Sequence, residues 1–390
     1  MDKPSTTNSA HDATASSTPP GGSLAGRAYR LTVRRVRGIR KQAIRGVKLG
    51  RHLFQRLRRA EKTLYFRLRD SEAGNAVLKA AQLARAPRES RLRGKAATSY
   101  LARLKPLNVA TIDHKKGYGL LPPDSTGELS QVLATCRHVF ELKKAHIEAR
   151  LAGFEDWDQE RKQKYLARKQ SFLRYLLDDE DLRHHPDLVE WALSDASLGA
   201  ATQYLGMVPY LSRVDLMYSL PRDGDDNIAS QLFHLDYEGV TQVKTFVHVF
   251  DVDETQGPFT FIPADATARI LRDIRQLRRR RRTGQDVESR RYSDDEIAAV
   301  GGRDDIVTVK GPAGAGVAID TSRCLHLGSR VRPGAFRLCL YLQYCTTREL
   351  TNVFDVNRFK NDPTRHLAVK HSVEPGRAHA IDYTDKIMGS

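Results

Sequence analysis

The sequence lacks several features that would place it in other protein classes. Its four cysteines include no C-x-x-C pair, so we expect free thiols in a reducing cytoplasm. No apolar run approaches the roughly 18 residues of a membrane-spanning helix. No apolar stretch follows the first charged residues, so no secretion signal is expected there. We therefore predict a cytoplasmic protein without a transmembrane segment.

What is present suits a globular enzyme with an anionic partner. The 390 residues are 40% hydrophobic and 28% charged, which is ordinary for a soluble enzyme with one large core or two modest ones. The formal net charge is +17. Such an excess of positive charge indicates an anionic partner, but it says nothing about the fold.

The N-terminal part differs in composition from the rest of the chain. Residues 1–26 are rich in Ser, Thr, Pro, Gly and Ala, and they predict a disordered tail. Residues 27–60 hold thirteen Arg or Lys and no acid, with apolar residues at roughly helical spacing, so 27–70 reads as a basic amphipathic helical segment. Two interpretations remain open. The segment contacts an anionic membrane surface peripherally, or less plausibly nucleic acid, or it packs its apolar stripe on the main domain.

Residues 71–390 are expected to form the main domain, with supporting helices over 125–205 and a strand-rich core over about 205–346. Apolar spacing predicts helices over 128–154, 158–177 and 186–205. After residue 205 the pattern changes to short β-branched and aromatic runs separated by Gly, Pro, Asp and Asn. These predicted strands lie within 210–220, 227–236, 242–252, 258–263, 305–311, 316–320 and 335–345.

Helices followed by a run of strands predict an antiparallel assembly covered on one side by helices. The fold class is therefore α+β. A double-stranded β-helix, which is a jelly-roll or cupin-like barrel, fits the strand count best.

The stretch "FHLDYEGV" places His234 and Asp236 two residues apart. On a strand both side chains point the same way, and burying either alone is costly. A neutral imidazole and a carboxylate are two thirds of the 2-His-1-carboxylate triad that binds non-haem Fe(II). The missing histidine is expected on a later strand, and the stretch from Ala318 to Cys345 supplies His326.

Eleven residues after that histidine comes Arg337, at the start of the last predicted strand. Strand parity places Arg337 on one face with Cys339, Tyr341 and Gln343, opposite the leucines between them. A guanidinium on a polar inner face suits a carboxylate, which it can bind with two parallel hydrogen bonds.

The order and spacing of His234, Asp236, "VFDVDETQGPFTFIP", His326 and Arg337 resemble the phytanoyl-CoA dioxygenase family of Fe(II)- and 2-oxoglutarate-dependent oxygenases. The resemblance covers about residues 205–346. It implies that the two histidines and the aspartate bind Fe(II), and that the arginine pairs with the far carboxylate of 2-oxoglutarate. It also implies O2 as the second cosubstrate and succinate and CO2 as products. A second H-x-D match at residue 185 precedes a proline suited to a helix start.

Some positions depart from the family pattern. Gly328 stands where members often have a serine, and Ser329 follows it, so the serine is a candidate contact of the cosubstrate. Lys244 either approaches the cosubstrate or is an ordinary lysine at the rim. His248 is either a further ligand or a packed strand histidine. The usual "PGSH" turn is replaced by "PADA" from Pro263.

The substrate is indicated only by charge. Related halogenases replace the metal-binding carboxylate by a small residue, so Asp236 favours hydroxylation. The unbroken run Arg278–Arg282 lies in a long insertion near the expected mouth of the site, where it either receives an anionic group or ends a helix as a solvated loop. The prediction is an oxygenase acting on a small or carrier-linked, anionic molecule. The alternative is a non-catalytic barrel that binds an anionic partner.

Overall fold

The computed structural model describes residues 68, 72–104, 111–123, 128–151, 153–222, 226–280, 289–347 and 354–369. The predicted disordered tail lies outside these residues. The predicted basic helical segment also lies outside them, apart from residue 68.

Short antiparallel strands form the centre of the described part of the chain. In chain order they are β1 (Tyr118–Leu121), β2 (Leu173–Tyr175), β3 (Tyr210–Ser219), β4 (Gln242–His248), β5 (Phe259–Ile262), β6 (Val307–Val309), β7 (Gly316–Ile319), β8 (Leu325–Leu327) and β9 (Arg337–Cys345). Six of them form one sheet in the order β1-β7-β4-β9-β3-β2, and three form a second in the order β6-β5-β8. Both sheets are antiparallel, as the jelly-roll prediction requires; closure into a barrel remains a prediction.

Helices precede the strands and also interrupt them. In chain order they are α1 (Glu72–Ala84), α2 (Pro87–Arg103), α3 (Glu128–Leu151), α4 (Gln159–Leu166), α5 (Asp179–His184), α6 (Pro186–Ala192), α7 (Asp195–Leu205), α8 (Ala264–Arg280), α9 (Asp294–Ala299) and α10 (Pro363–Ala368). Within the described ranges, no helix is both long and apolar enough to cross a lipid bilayer.

Strand β9 shows how the six-stranded sheet separates two environments. It pairs with β3 on one side and β4 on the other. Leu338, Leu340 and Leu342 belong to a core that includes residues of α3, α6 and α7. Cys339 and Tyr341 belong to a different core, shared with aromatic residues of the three-stranded sheet. The predicted parity of this strand, and its cover of helices on one side, are therefore confirmed.

Two of the predicted helices differ from the structure. The helix predicted over 158–177 ends at Leu166, because the chain then turns and forms β2, which pairs with β3. The helix predicted over 186–205 is divided into α6 and α7 at Ser194, whose side chain accepts a hydrogen bond from the backbone N–H of Ser197 and so caps α7. The proline at residue 186 does occupy the first turn of α6, as expected.

The strand predicted over 227–236 is not a strand. This segment contains one short 3-10 turn and then two isolated backbone bridges, at Phe233 and His234. The chain therefore joins the edge strand β8 of the three-stranded sheet through the His234–His326 bridge, while Phe233 pairs with Tyr292. Its side chains are positioned by these bridges instead of by a continuous ladder.

Candidate metal centre

Two chain segments that are far apart in sequence meet at a pair of histidines. His234 and His326 form an antiparallel bridge, in which each backbone N–H donates to the other's carbonyl over 2.9 Å. On its other side, His326 lies opposite Phe261 of β5. The backbone N–H of Asp236 donates to the carbonyl of Thr321 over 2.9 Å, which fixes the third position of the group.

The three side chains converge on one point. One ligand atom from each of His234, Asp236 and His326 lies within 4.8 Å of the others. The Nε2 atom of His326 is 3.3 Å from Oδ2 of the aspartate, and Nε2 of His234 is 3.8 Å from Oδ1. Atoms that ligate one ion at about 2.1 Å stand about 3 Å apart, so small adjustments would suffice for a divalent metal.

The imidazoles are held in the orientation that a metal needs. Nδ1 of His234 lies 2.9 Å from the carbonyl oxygen of Leu232, and Nδ1 of His326 lies 3.0 Å from that of Cys324. A carbonyl can only accept, so each Nδ1 carries the proton and each Nε2 presents its lone pair. Burial is the largest cause that lowers the pKa of His234, which keeps this ring neutral.

Lys244 is part of this site and does not lie at its rim. The residue is 6% exposed, and its Nζ lies 2.7 Å from Oδ2 of Asp236 and 3.1 Å from Oε2 of Glu238. Burial alone would raise the pKa of Asp236, but the charge of Lys244 is the first cause that opposes burial, and the pKa lies well below its usual range. The interpretation as an ordinary rim lysine was therefore wrong.

Arg337 is buried without a carboxylate partner among the described residues. It is 3% exposed, donates to the carbonyl of Gly257, and leaves its Nε without a hydrogen-bond partner. The hydroxyl of Ser329 is 3.5 Å from Nη2 and is also bonded to Ser219 at 2.9 Å. A Cβ at Gly328 would lie 3.2 Å from the same Nη2, so the glycine makes room for the guanidinium.

His248 is a buried residue of β4, 1% exposed, and it does not belong to the three-residue group. Burial, with a further contribution from Arg337, lowers its pKa to about 4. Its position agrees with the interpretation as a packed strand histidine.

The basic run in the insertion does not serve as one patch. Arg278 is 5% exposed and bonds Glu296 through two nitrogen atoms, at 2.6 and 2.8 Å, so it is not available to a substrate. Arg279 and Arg280 end α8 in exposed positions, and residues 281 and 282 lie outside the described ranges. The "PADA" segment starts α8 directly at Ala264, which explains the altered turn.

Sequence reasoning did not single out three charged residues near the centre. Glu238 shares Lys244 with Asp236, and Arg290 and Arg291 lie in the later part of the insertion. The only available signal for Glu238 was its spacing two residues after the aspartate.

Comparison with solved structures gives distant similarities. The epimerase SnoN, in complex with Fe3+, alpha ketoglutarate and nogalamycin RO, is 16% identical with a TM-score of 0.38, over 65% of this chain and 85% of that one. EctD from S. alaskensis, with 2-oxoglutarate and 5-hydroxyectoine, is 14% identical with a TM-score of 0.37, over 63% and 80%. HygX from Streptomyces hygroscopicus, with nickel and 2-oxoglutarate bound, is 13% identical with a TM-score of 0.34, over 60% and 84%.

No protein-family model matches the chain, and no curated protein matches it. The structural similarities are too distant to assign a family or to transfer an activity. What the molecule itself presents is a His-Asp-His group with two buried histidines, able to hold a metal ion, and a buried arginine, Arg337, whose Nε has no hydrogen-bond partner among the described residues.

Proposed function

We propose that the chain is an Fe(II)- and 2-oxoglutarate-dependent dioxygenase that hydroxylates a small or carrier-linked organic substrate. His234, Asp236 and His326 would bind the metal. The observation that carries the proposal is their convergence within 4.8 Å, with both imidazole Nε2 atoms free to ligate. The resemblance to the phytanoyl-CoA dioxygenase family supports the same reading.

The surroundings of Arg337 support 2-oxoglutarate as the cosubstrate. A buried donor without a partner costs free energy that a ligand can recover. The Nε of this guanidinium is such a donor, and the hydroxyl of Ser329 lies beside it. A carboxylate of 2-oxoglutarate would supply the missing acceptors. We therefore assign Arg337 and Ser329 to its far end.

The bound metal and 2-oxoglutarate would supply the activation of O2, which amino-acid side chains cannot perform. The chain's own residues position these groups and exclude water. The carbonyls behind the two histidines fix their ring orientation. Phe259 stacks on His326 with ring centroids 5.5 Å apart, which gives the centre an apolar wall. Lys244 contacts Asp236, and we propose that it positions this carboxylate.

The cellular setting follows only from composition. We propose a cytoplasmic protein whose residues 27–60 touch an anionic membrane surface. Unchanged sedimentation with anionic liposomes after deletion of residues 1–60 would contradict the membrane contact.

The proposed activity is tested on protein purified anaerobically and supplied with Fe(II), 2-oxoglutarate and O2. We expect slow release of succinate even without substrate, and we expect His326→Ala to abolish both this release and metal binding measured by calorimetry with Mn(II). His146→Ala, which removes an exposed histidine of α3, is the matched control and should change neither.

Arg337→Gln separates cosubstrate binding from metal binding. It removes a charged donor pair, so the KM for 2-oxoglutarate should rise by about tenfold or more while Mn(II) affinity is kept. A protein that binds neither Mn(II) nor 2-oxoglutarate would instead favour the non-catalytic, anion-binding alternative.

A further inference from the structure

A short segment in the later part of the insertion, residues 289–292, is held beside the metal centre by its backbone. Tyr292 and Phe233 exchange two hydrogen bonds, of 2.9 and 3.0 Å, in an isolated antiparallel bridge. Phe233 directly precedes His234, so this bridge places residues 290 and 291 next to the proposed metal ligands.

The buried Arg278 of α8 supports this segment from behind. Its guanidinium donates to the carbonyls of Ser289 and Arg291, at 2.6 and 2.8 Å, and it lies over the ring of Tyr292 at 4.8 Å. Glu296 at the start of α9 neutralises its charge. Both the strand edge and the helix therefore fix the backbone that carries Arg290 and Arg291.

The two arginines have different surroundings. Arg290 donates to the hydroxyl of Tyr237 over 3.3 Å and lies 5.5 Å from the centre of that ring. Arg291 is exposed, and no carboxylate of the described residues forms an ion pair with it. Desolvation by neighbouring protein atoms is the largest cause that lowers the pKa of Arg291, while the charges of Asp236 and Glu238 oppose this shift. Those two carboxylates therefore lie within electrostatic range of its guanidinium.

Both nearby carboxylates are already engaged. Lys244 bonds Asp236 and Glu238 together. A divalent metal would add two further positive charges, which a 2-oxoglutarate dianion would offset. With Arg337 at the far end of 2-oxoglutarate, these charges sum to zero, so the positive charge of Arg291 remains for a third partner.

We propose that Arg291, with Arg290 beside it, binds an oxyanion of the substrate, a carboxylate or a phosphate, so that the rest of the substrate reaches the metal centre. This proposal rests on the proposed function and adds the substrate class. A guanidinium presents a planar pair of donors that matches two oxygen atoms of either group. The residue is a specificity determinant and takes no part in the reaction itself.

The test uses the full chain loaded with Mn(II) and a saturating concentration of 2-oxoglutarate under anaerobic conditions. Inorganic phosphate and acetate are titrated separately by calorimetry, so that the two arms distinguish the two oxyanions. We expect at least one of them to bind, and Arg291→Gln to weaken it about tenfold or more. Arg291→Lys keeps the charge but not the fork, so it should fall between the two proteins.

The matched control is Arg279→Gln, which removes the same charge from an exposed position of α8. It should bind the probe as the wild type does. Direct binding of the probe to the metal would instead give Arg291→Gln and Arg279→Gln the same affinity. Equal affinities of the Arg291→Gln and Arg279→Gln proteins would overturn the proposal, as would no binding of either probe to a wild type that holds Mn(II) and 2-oxoglutarate. Failure of Mn(II) and 2-oxoglutarate to bind would instead overturn the proposed function, and this inference with it.

Discussion

Lys244 is a cation in a place where a metal ion would bring more positive charge. Its ammonium group lies 2.7 Å from a carboxylate oxygen of Asp236, and both groups are largely shielded from water. Burial alone would lower the pKa of the lysine, but Asp236 is the main cause that raises it well above the usual value. The lysine therefore stays charged and compensates the aspartate before any metal binds.

Replacing this residue by Lys244→Met should have two linked effects. The metal-free protein should lose about 3 kcal/mol of unfolding free energy, because a buried carboxylate is left without its cation. Added Mn(II) should then stabilise the variant more than it stabilises the wild type, because the metal becomes the only nearby compensation. Thermal unfolding with and without Mn(II) measures both effects.

Lys310→Met provides the control for this experiment. It breaks an ion pair with Glu254 that is exposed to solvent, so it should leave the unfolding free energy nearly unchanged, with and without Mn(II). Equal responses of the two variants to the metal would contradict a role for Lys244 at the centre.

At this scale the sequence predicts which residues form the site better than it predicts which residues each of them contacts. His234 and Asp236 stand two residues apart, so the sequence shows this pair directly. The expected order of the strands then pointed to His326. The partner of Lys244 was not predictable, because it depends on how residues 235–241 fold back over β4. His248 could be placed on a strand, but its burial depends on the neighbouring strands.

At the scale of elements, α8 and α9 support residues 289–292 of the insertion. Arg278 links the end of α8 to Glu296 of α9 and to backbone carbonyls at residues 289 and 291. A run of arginines predicts an exposed surface. Arg278 is buried because its partner, Glu296, lies on another helix. Local sequence therefore could not reveal it.

Arg278→Gln should destabilise the protein by about 3 kcal/mol, since it removes the guanidinium that donates to Glu296 at 2.6 and 2.8 Å. It should also weaken phosphate or acetate binding without removing any group that touches the anion, because residues 289–292 lose their support. Urea unfolding and the calorimetric titration measure the two effects. Arg279→Gln, one residue further along the same helix, should leave both unchanged; an identical stability in the two variants would contradict the support role.

Element boundaries were predictable where the local pattern agreed with long-range pairing. The later strands β3, β4, β5, β6, β7 and β9 fall inside their predicted ranges, and β8 lies outside them, although a strand was expected at His326. The short strands β1 and β2 were missed, because strands of three or four residues have few positions for a recognisable alternation. Their pairing with β7 and β3 is decided by the rest of the sheet.

At the scale of the whole molecule, one buried histidine links stability to pH. Burial of His248 lowers its pKa to about 4, against about 6.5 for a histidine in an unfolded chain. Between these values the unfolded chain binds the proton and the native protein does not. The contribution of His248 to the unfolding free energy is therefore complete above about pH 6.5 and is lost as the pH falls towards 4.

The loss attributable to this residue amounts to at most about 3 kcal/mol. We expect His248→Gln, which cannot titrate, to show a shallower decline of unfolding free energy between pH 6.5 and 4 in urea titrations of the metal-free protein. Parallel curves for variant and wild type would contradict this assignment.

The backbone bridge between His234 and His326 ties together the two segments that carry the imidazoles. Because each residue's amide is bonded to the other's carbonyl, any local opening that separates the segments also separates the two nitrogen ligands. We expect an ion at this position to leave through such an opening of the main chain, at the pace of amide hydrogen exchange there.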